Sequence, residues 1–182
     1  MQDQHQSANV ELVLDTFRVS GQLVYTGGPR RLVDILNNID HAFILLREAE
    51  VDDPLRDDDA PRPFDLVQVQ LNTVLFAVPH GVAIQTKDPL ETVRKVPVSC
   101  TIALPGFEVT GTIHMLPDLA PESAQILGAR HFIPVTNASI VSAFDHDTIW
   151  RPEVVVVNLA RAVLFAPHAR AASVAPVAQQ SA

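Results

Sequence analysis

The chain has 182 residues, of which 47% are hydrophobic and 19% charged, so it holds enough apolar side chains for a substantial core. Its net charge of −8 disfavours nucleic-acid binding, because a phosphate backbone is normally held by an excess of Lys and Arg. Cys100 is the single cysteine, which excludes an internal disulfide and a zinc site built on the cysteines of one chain.

The N-terminal residues 1–9 are polar, so we expect them to be disordered and to lack the apolar core of a signal peptide. No apolar run in the sequence approaches the roughly 20 residues that a membrane helix needs. We therefore expect a soluble, cytoplasmic protein without membrane insertion.

Residues 10–81 are predicted to form five strands and one short helix. The strands are predicted at 11–15, 18–26, 42–51, 66–71 and 74–78, and the helix at 31–38. Apolar positions from Val19 to Tyr25 alternate with polar ones, and this period of two is typical of a half-buried strand. Gly21 inside that strand predicts a bulge or a sharp bend.

The same series of elements is predicted again after a linker at 82–98, which could add one strand of its own. Strands are predicted at 100–104, 108–116, 132–141, 154–158 and 162–166, and a helix at 121–128. That helix begins with proline and ends with glycine, the usual asymmetry of helix ends. The last segment, 169–182, is rich in Ala, Ser and Gln and is predicted to be a disordered tail.

Residues 99–168 are a diverged copy of residues 10–81, because matching residues follow each other in the same order. At an offset of 90 the matches are Leu14/Leu104, Phe17/Phe107, Val19/Val109 and Gly21/Gly111. At an offset of 89 they are Phe43/Phe132, Ala49/Ala138, Arg62/Arg151 and the run 74–77/163–166. One more deletion aligns Pro79-His80 with Pro167-His168. We therefore predict a mainly β, β-rich α+β fold of two tandem, pseudo-equivalent, five-stranded small-barrel units, each with a short helix between strands 2 and 3.

The order of elements resembles the Sm-like small barrel. Residues 17–23 read Phe-x-Val-x-Gly-x-Leu, and Asp34-Ile-Leu-Asn37 lies near the place of that family's Asp-x-x-Met-Asn turn. The Arg-Gly of the family's last turn is replaced by Leu71-Asn72 and by Leu159-Ala160, and a helix is inserted between strands 2 and 3. The resemblance implies a small barrel, but RNA binding does not carry over because the residues that would grip RNA are missing.

The helix of the first copy carries a second resemblance. Arg31-Leu-Val-Asp-Ile-Leu-Asn37, followed by Phe-Ile-x-Leu at 43–46, looks like small uncharacterised bacterial domains with an Arg-Leu-x-Asp-x-Leu-Asn signature. The second copy keeps Phe132-Ile-Pro-Val-Thr-Asn-Ala138 and lacks the helix signature. Since those domains have no known function, the resemblance implies relatives but no activity.

Two histidines are the candidate metal ligands. His80 and His168 occupy equivalent positions, each after a proline, and could bind a metal or act as an acid–base pair if the symmetry brings them together. The alternative is a shared turn at the end of a strand, inherited in the duplication. Asp145-His146-Asp147 and His131 could also help to bind a metal, or they could be solvated loop residues.

The remaining chemical groups favour no enzyme class. The acidic run 57–59 lacks the Gly and the distal Glu of an EF-hand, and the glycine turn at 27–31 lacks the Walker spacing. Cys100 is predicted to be a small core residue. Motifs of hydrolases, metalloproteases and dinucleotide-binding enzymes are absent from the sequence. We therefore predict no catalytic residue, no cofactor and no enzyme activity.

The leading functional hypothesis is a non-catalytic interaction, scaffold or accessory protein, with a protein partner or a homo-oligomer held through exposed edge strands. Trp150, Arg151 and Arg31 are the candidate interaction residues, and core packing is the alternative for Trp150. A second hypothesis is a small-ligand or metal sensor, with a site between the copies near His80, His168 and Arg31. An Sm-like RNA binder is the third, and the acidic charge disfavours it.

Overall fold

The computed structural model describes residues 5–26, 31–38, 42–53, 60–81, 94–117, 131–143 and 149–168. In the first half of the chain the elements are β1 (His5–Leu14), β2 (Arg18–Thr26), α1 (Leu32–Leu36), β3 (Phe43–Asp52), β4 (Arg62–Gln70) and β5 (Val74–His80). In the second half they are β6 (Val96–Leu104), β7 (Phe107–Met115), β8 (Phe132–Ser142), β9 (Ile149–Trp150), β10 (Val154–Asn158) and β11 (Leu164–Pro167). Below, the first half means β1–β5 and the second half means β6–β11.

All eleven strands belong to one antiparallel sheet, so the mainly β prediction is confirmed. The order is β11-β6-β7-β8-β10-β5-β1-β2-β3-β4, and β9 pairs with β8 beside this path. The halves are joined where β5 pairs with β10. Within the described strands, β4 and β11 are the two ends of the sheet.

The strand pairing of the first half is repeated in the second half. Leu12 pairs with Val19 in β1–β2, and Ile102 pairs with Val109 in β6–β7 at the offset of 90 that the sequence predicts. The register also shifts at the same place in each half, between Ser20 and Gln22 in β2–β3 and between Thr110 and Thr112 in β7–β8. The bulge predicted at Gly21 and Gly111 is therefore confirmed.

The two bulges explain why these positions are glycine. A Cβ on Gly111 would lie 2.5 Å from Val135 Cγ1 and 2.9 Å from the Thr136 carbonyl oxygen. A Cβ on Gly21 would lie 3.0 Å from the Arg47 carbonyl oxygen. The facing strands compensate with left-handed residues, Glu48 at φ 47° and Asn137 at φ 50°. Each bulge thus needs a residue without a side chain on one strand and a left-handed residue on the other.

The buried side chains form two clusters that share the strands at the junction. The first contains residues of β1–β5 and α1, together with Phe132 and Val156 from the second half. The second contains residues of β6–β8 and β10, together with four residues of the first half: Val13, Leu75, Phe76 and Val78. β5 and β10 therefore contribute to both cores.

Several predicted boundaries differ from the structure. β1 begins at His5, within the segment 1–9 that was expected to be disordered, because its backbone pairs with β2 as far as Thr26. β6 begins at Val96, inside the predicted linker 82–98, and pairs there with Met115. The predicted strand 154–158 is β10, and a short strand that the sequence does not predict, β9 (Ile149–Trp150), precedes it. The predicted helix 121–128, the tail 169–182 and most of the linker lie outside the described residues.

Two predicted matches between the halves are wrong by one residue. The sequence aligns Arg62 with Arg151, but Arg62 pairs with Val51 as Trp150 pairs with Ile140, so the structural counterpart of Arg62 is Trp150. The sequence aligns the run 74–77 with 163–166, but Ile102 pairs with Phe165 where its counterpart Leu12 pairs with Ala77. The structural counterpart of Phe76 is therefore Leu164, at an offset of 88. The one-residue deletion that changes the offset from 89 to 88 lies earlier in the chain than the sequence match suggests. The residue numbers of the equivalent 3-10 turns, Leu71–Thr73 and Leu159–Arg161, already differ by 88.

Candidate functional site

The junction of β5 and β10, which we name the seam, is the closest contact between the two halves. Val156 pairs with Ala77 and Val157 pairs with Phe76 in antiparallel register. Their neighbours Leu75 and Val155 are fully buried, as is Phe76. β10 has four consecutive valines, whose branched side chains favour an extended backbone. The seam is thus an apolar strand pair with no exposed side.

Two asparagines bind the halves together through main-chain groups. Asn158 is 2% exposed; its Nδ2 donates to the Val74 carbonyl oxygen at 2.9 Å, and its Oδ1 accepts from the Ala160 amide at 3.1 Å. Asn37, at the end of α1, donates to the Phe132 carbonyl at 2.7 Å and accepts from the Phe132 amide at 2.9 Å. Leaving such buried groups without partners costs about 1–3 kcal/mol each, so both residues fix how the halves meet.

Trp150 lies in an aromatic cluster on the seam. The guanidinium carbon of Arg18 is 4.1 Å from the centre of the Trp150 ring, a cation–π distance. The rings of Phe76 and Phe107 lie 6.2 and 6.4 Å from that ring, and 5.2 Å from each other in an edge-to-face arrangement. Trp150 is half-buried there and so connects the two halves of its own chain.

The other two predicted interaction residues lie elsewhere. Arg151 is exposed next to Trp150. Arg31 lies at the start of α1, where its guanidinium binds both carboxylate oxygens of Asp34 at 2.7 and 2.8 Å. Whether any of the three residues contacts another protein stays a prediction.

The strands at the two ends of the sheet expose large apolar side chains. On β4, Phe64 is 43% exposed and Leu66 55% exposed. Beside and on β11, Val163 is 77% exposed and Leu164 50% exposed. Natural edge strands usually carry charges or prolines, and β4 has Arg62, Pro63 and Asp65 while β11 ends in Pro167. The exposed apolar side chains beside these residues make the two ends candidate interaction surfaces.

The two candidate histidines make equivalent contacts in separate places. His80 Nε2 lies 3.1 Å from Glu11 Oε2, and His168 Nε2 lies 3.1 Å from the hydroxyl of Thr101, the counterpart of Glu11. Four strands separate β5 from β11 in the sheet order. The structure thus places each histidine beside its own first strand and does not pair the two. Among the described residues, no group of three or more His, Cys, Asp or Glu could hold a metal ion.

A shallow polar cleft of about 280 Å³ lies beside His80 on the first half. Gln22 donates to Glu48 at 2.6 Å in it, and Arg18 lies 3.3 Å from Glu11 nearby. The lining residues are Asn9, Val10, Ser20, Gly21, Gln22, Glu48, Glu50 and His80. The cleft lies apart from Arg31 and His168, so the residues predicted for a sensor site at the seam do not come together.

Cys100 is a core residue, as the sequence predicts. It is buried, and this burial raises the pKa of its thiol to about 11, so the thiol is protonated at neutral pH. Its counterpart in the first half is the buried Val10, which pairs with Gly21 as Cys100 pairs with Gly111. A nucleophile would need the thiolate and an accessible position, and Cys100 has neither.

The other metal candidates give no assembled site. His131 is exposed at the start of β8, and its carbonyl oxygen accepts from the Leu159 amide at 2.6 Å. The predicted groups at 27–30, 57–59 and 145–147 lie outside the described residues.

The residues that form the seam were not predicted from the sequence. Asn158 could have been noticed in the sequence, because it directly follows four valines. A polar side chain at the end of such a buried strand needs hydrogen-bond partners close by. β4 carries another, because Phe64 and Leu66 lie on one face while Val67 and Val69 lie on the other, which is unusual for an end strand. Arg18 carries no such signal, since its position over Trp150 depends on tertiary structure.

Comparison of the chain with protein-family models, with curated proteins and with solved structures finds no match in any of the three. No helix within the described ranges is both long and apolar enough to cross a membrane. The functional inference therefore depends on the residues and contacts described above.

Proposed function

We propose that this protein is a non-catalytic interaction or scaffold protein, which holds its partners through the strands at the two ends of its sheet. The observation that carries the proposal is the exposure of Phe64, Leu66, Val163 and Leu164 on or beside β4 and β11. An end strand also offers unpaired backbone amides and carbonyls, and the added strand of a partner would satisfy them. Apolar side chains beside that backbone add affinity, since each loses its contact with water on pairing.

The repeated architecture supports this role. We interpret the two halves as tandem five-stranded small-barrel units, because both repeat the β1–β2 register, the glycine bulge and the histidine contact on the first strand. Two such units in one chain resemble a fused dimer with a built-in interface at the seam. The strand pair that joins β5 and β10 inside the chain is the kind of contact that we propose for the two end strands.

The chemistry of the described side chains supports a non-catalytic role. Cys100 is buried and protonated, and His80 and His168 each contact a single side chain in an open position. A catalytic constellation would need a nucleophile and a base within hydrogen-bond distance, with a third group orienting the base. The described contacts of these three residues do not form one.

Site-specific photo-crosslinking in the cells that normally make the protein tests the proposal. A benzophenone amino acid is placed at Leu66 or at Leu164, and at Leu116 as a control, because Leu116 is 43% exposed but follows β7 in the interior of the sheet order. We expect protein adducts, identified by mass spectrometry, from positions 66 and 164 and not from position 116. Equal labelling at all three positions, or none at positions 66 and 164, would contradict the proposal.

A further inference from the structure

We propose that the two ends of the sheet pair with each other between copies of this chain, β4 of one copy with β11 of the next. The result is a head-to-tail assembly that repeats the seam between molecules. This inference rests on the proposed function, that the end strands hold partners, and it names the partner as a second copy.

The strand registers show that the two free ends are the counterparts of the two seam strands. β4 takes the place of β10, because Gln68 pairs with Leu45 as Val156 pairs with Pro134, the counterpart of Leu45. β11 takes the place of β5, because Phe165 pairs with Ile102 as Ala77 pairs with Leu12. The seam therefore gives the register between copies: Gln68 opposite Phe165, and Val69 opposite Leu164.

The exposed apolar side chains coincide with this repeated interface. In the seam, Phe107 contacts Phe76 at 5.2 Å and both are shielded, whereas their counterparts Phe17 and Leu164 are 39% and 50% exposed. Pairing β4 with β11 of another copy would bring Phe17 against Leu164 of that copy. Of the eight exposed large hydrophobic side chains among the described residues, four lie on or beside the two end strands: Phe64, Leu66, Val163 and Leu164. Phe43 lies on β3, which pairs with β4, and Phe17 is the counterpart of Phe107.

The charges at the two ends are also complementary. In the seam, Arg18 lies over Trp150. The counterpart of Arg18 is Glu108, and the counterpart of Trp150 is Arg62, which pairs with Val51 as Trp150 pairs with Ile140. Glu108 and Arg62 are both exposed in the single chain. Repeating the seam between copies places this carboxylate beside this guanidinium, so an ion pair replaces the cation–π contact.

A second copy is favoured over an unrelated protein because one chain carries both complementary ends. Each copy would use β4 toward one neighbour and β11 toward the other. Such a heterologous contact continues from copy to copy, as a ring where the rotation closes and as an open filament where it does not. Pairing β4 with β4, or β11 with β11, would not repeat the seam.

A charge-exchange experiment on the full chain tests the inference. The variants are Arg62→Glu and Glu108→Arg, with Arg94→Glu as the control, since Arg94 is exposed before β6 and its substitution changes the net charge by the same amount and sign as Arg62→Glu. In sedimentation at moderate salt, we expect the unaltered chain to form species at multiples of 19.8 kDa. Each interface variant should raise the concentration for half-association by about tenfold or more, and the control should not.

Mixing the two interface variants is the decisive step. The reversed charge at position 62 of one variant then meets the reversed charge at position 108 of the other. The unaltered residues at these positions also match, so association should return to the level of the unaltered chain. Thermal unfolding confirms that each variant is folded. A monomer at all concentrations, unaffected single variants, or a mixture that stays dissociated would overturn the inference.

The two proposals fail in different ways. A monomeric chain whose position 66 crosslinks to a different, identified protein would overturn head-to-tail pairing and leave the interaction role standing. A chain that neither self-associates nor crosslinks at its ends would overturn both. Adducts that join position 66 of one copy to β11 of another would support both.

Discussion

Strands β5 and β11 hold the same position in the two halves and differ in what lies on their outer side. β5 lies between β1 and β10, and its Phe76 is fully buried, whereas β11 pairs only with β6 and its counterpart Leu164 is 50% exposed. Both strands are apolar, so composition does not explain the difference. The burial of Phe76 and the exposure of Leu164 therefore depend on whether a further strand pairs on the outer side. β11 has the apolar composition of a strand with two neighbours, although it has one.

On the outer faces of the two halves, the strand register is the same but the side chains at equivalent positions differ. The first half carries Glu11, Arg18 and Glu48 with His80, while the counterparts of Glu11 and Glu48 in the second half are Thr101 and Asn137. The register and the glycine bulges were thus maintained where they support the core. In the described part of the second half, the counterparts of the cleft residues Glu48 and Glu50 are the uncharged Asn137 and Ser139.

The largest difference between the two halves is expected when Phe76 and its counterpart Leu164 are each replaced by alanine. Phe76→Ala should lower the free energy of unfolding by about 3–5 kcal/mol, because it leaves a cavity at a fully buried position in the second core. Leu164→Ala should cost less than about 0.5 kcal/mol in dilute protein, because the side chain is half exposed. Urea unfolding monitored by circular dichroism measures both, and similar losses for the two variants would contradict the difference in burial between the two positions.

The bulge glycines allow a sharper comparison of the two halves. Gly111→Ala should destabilise by about 2–3 kcal/mol, since the added methyl meets Val135 at 2.5 Å and a carbonyl oxygen at 2.9 Å. Gly21→Ala should cost about 1 kcal/mol, since its nearest contact is a carbonyl oxygen at 3.0 Å. Thermal unfolding of the pair gives the difference. A larger loss at Gly21 would show that the first bulge is the tighter one.

The left-handed residues opposite the glycines should give the smallest effect. Glu48→Asn should raise the free energy of unfolding by about 0.5–1 kcal/mol, and Asn137→Glu should lower it by a similar amount, because asparagine tolerates positive φ better. The bond from Gln22 that Glu48→Asn loses is exposed and contributes little. Glu50→Asn, on the same face of β3, is the control and should not stabilise. Equal changes at positions 48 and 50 would mean that φ is not the cause.

The repeat and its second strands could be predicted from the sequence because their signals are local. The alternation from Val19 to Tyr25 predicts β2 with the bounds that the structure shows, and the shared glycines predict both bulges. The burial of Cys100 also follows from its apolar neighbours. The burial of Val33 together with Ile35 and Leu36 in α1 is not a local signal, because it arises where the short helix packs against β8 of the other half.

The seam could not be predicted, because pairing between distant strands leaves no pattern in either one. The four valines of β10 would fit beside any apolar strand, whereas the hydrogen bonds of Asn158 and Asn37 are specific to the position observed. The identical run in 74–77 and 163–166 was misleading for a related reason. Sequence identity does not report which backbone groups face each other, and a one-residue slip moves every side chain to the other face.

The sharing of β5 between the two cores has a consequence for how the chain is made. Val154, where β10 begins, follows the last residue of β5 by 74 residues. At about 5–20 residues per second, the ribosome needs roughly 4–15 s to supply the strand that covers Leu75, Phe76 and Val78. During that interval the outer edge of β5 has no partner strand, and such transiently exposed apolar edges are prone to aggregation and are the surfaces on which chaperones act.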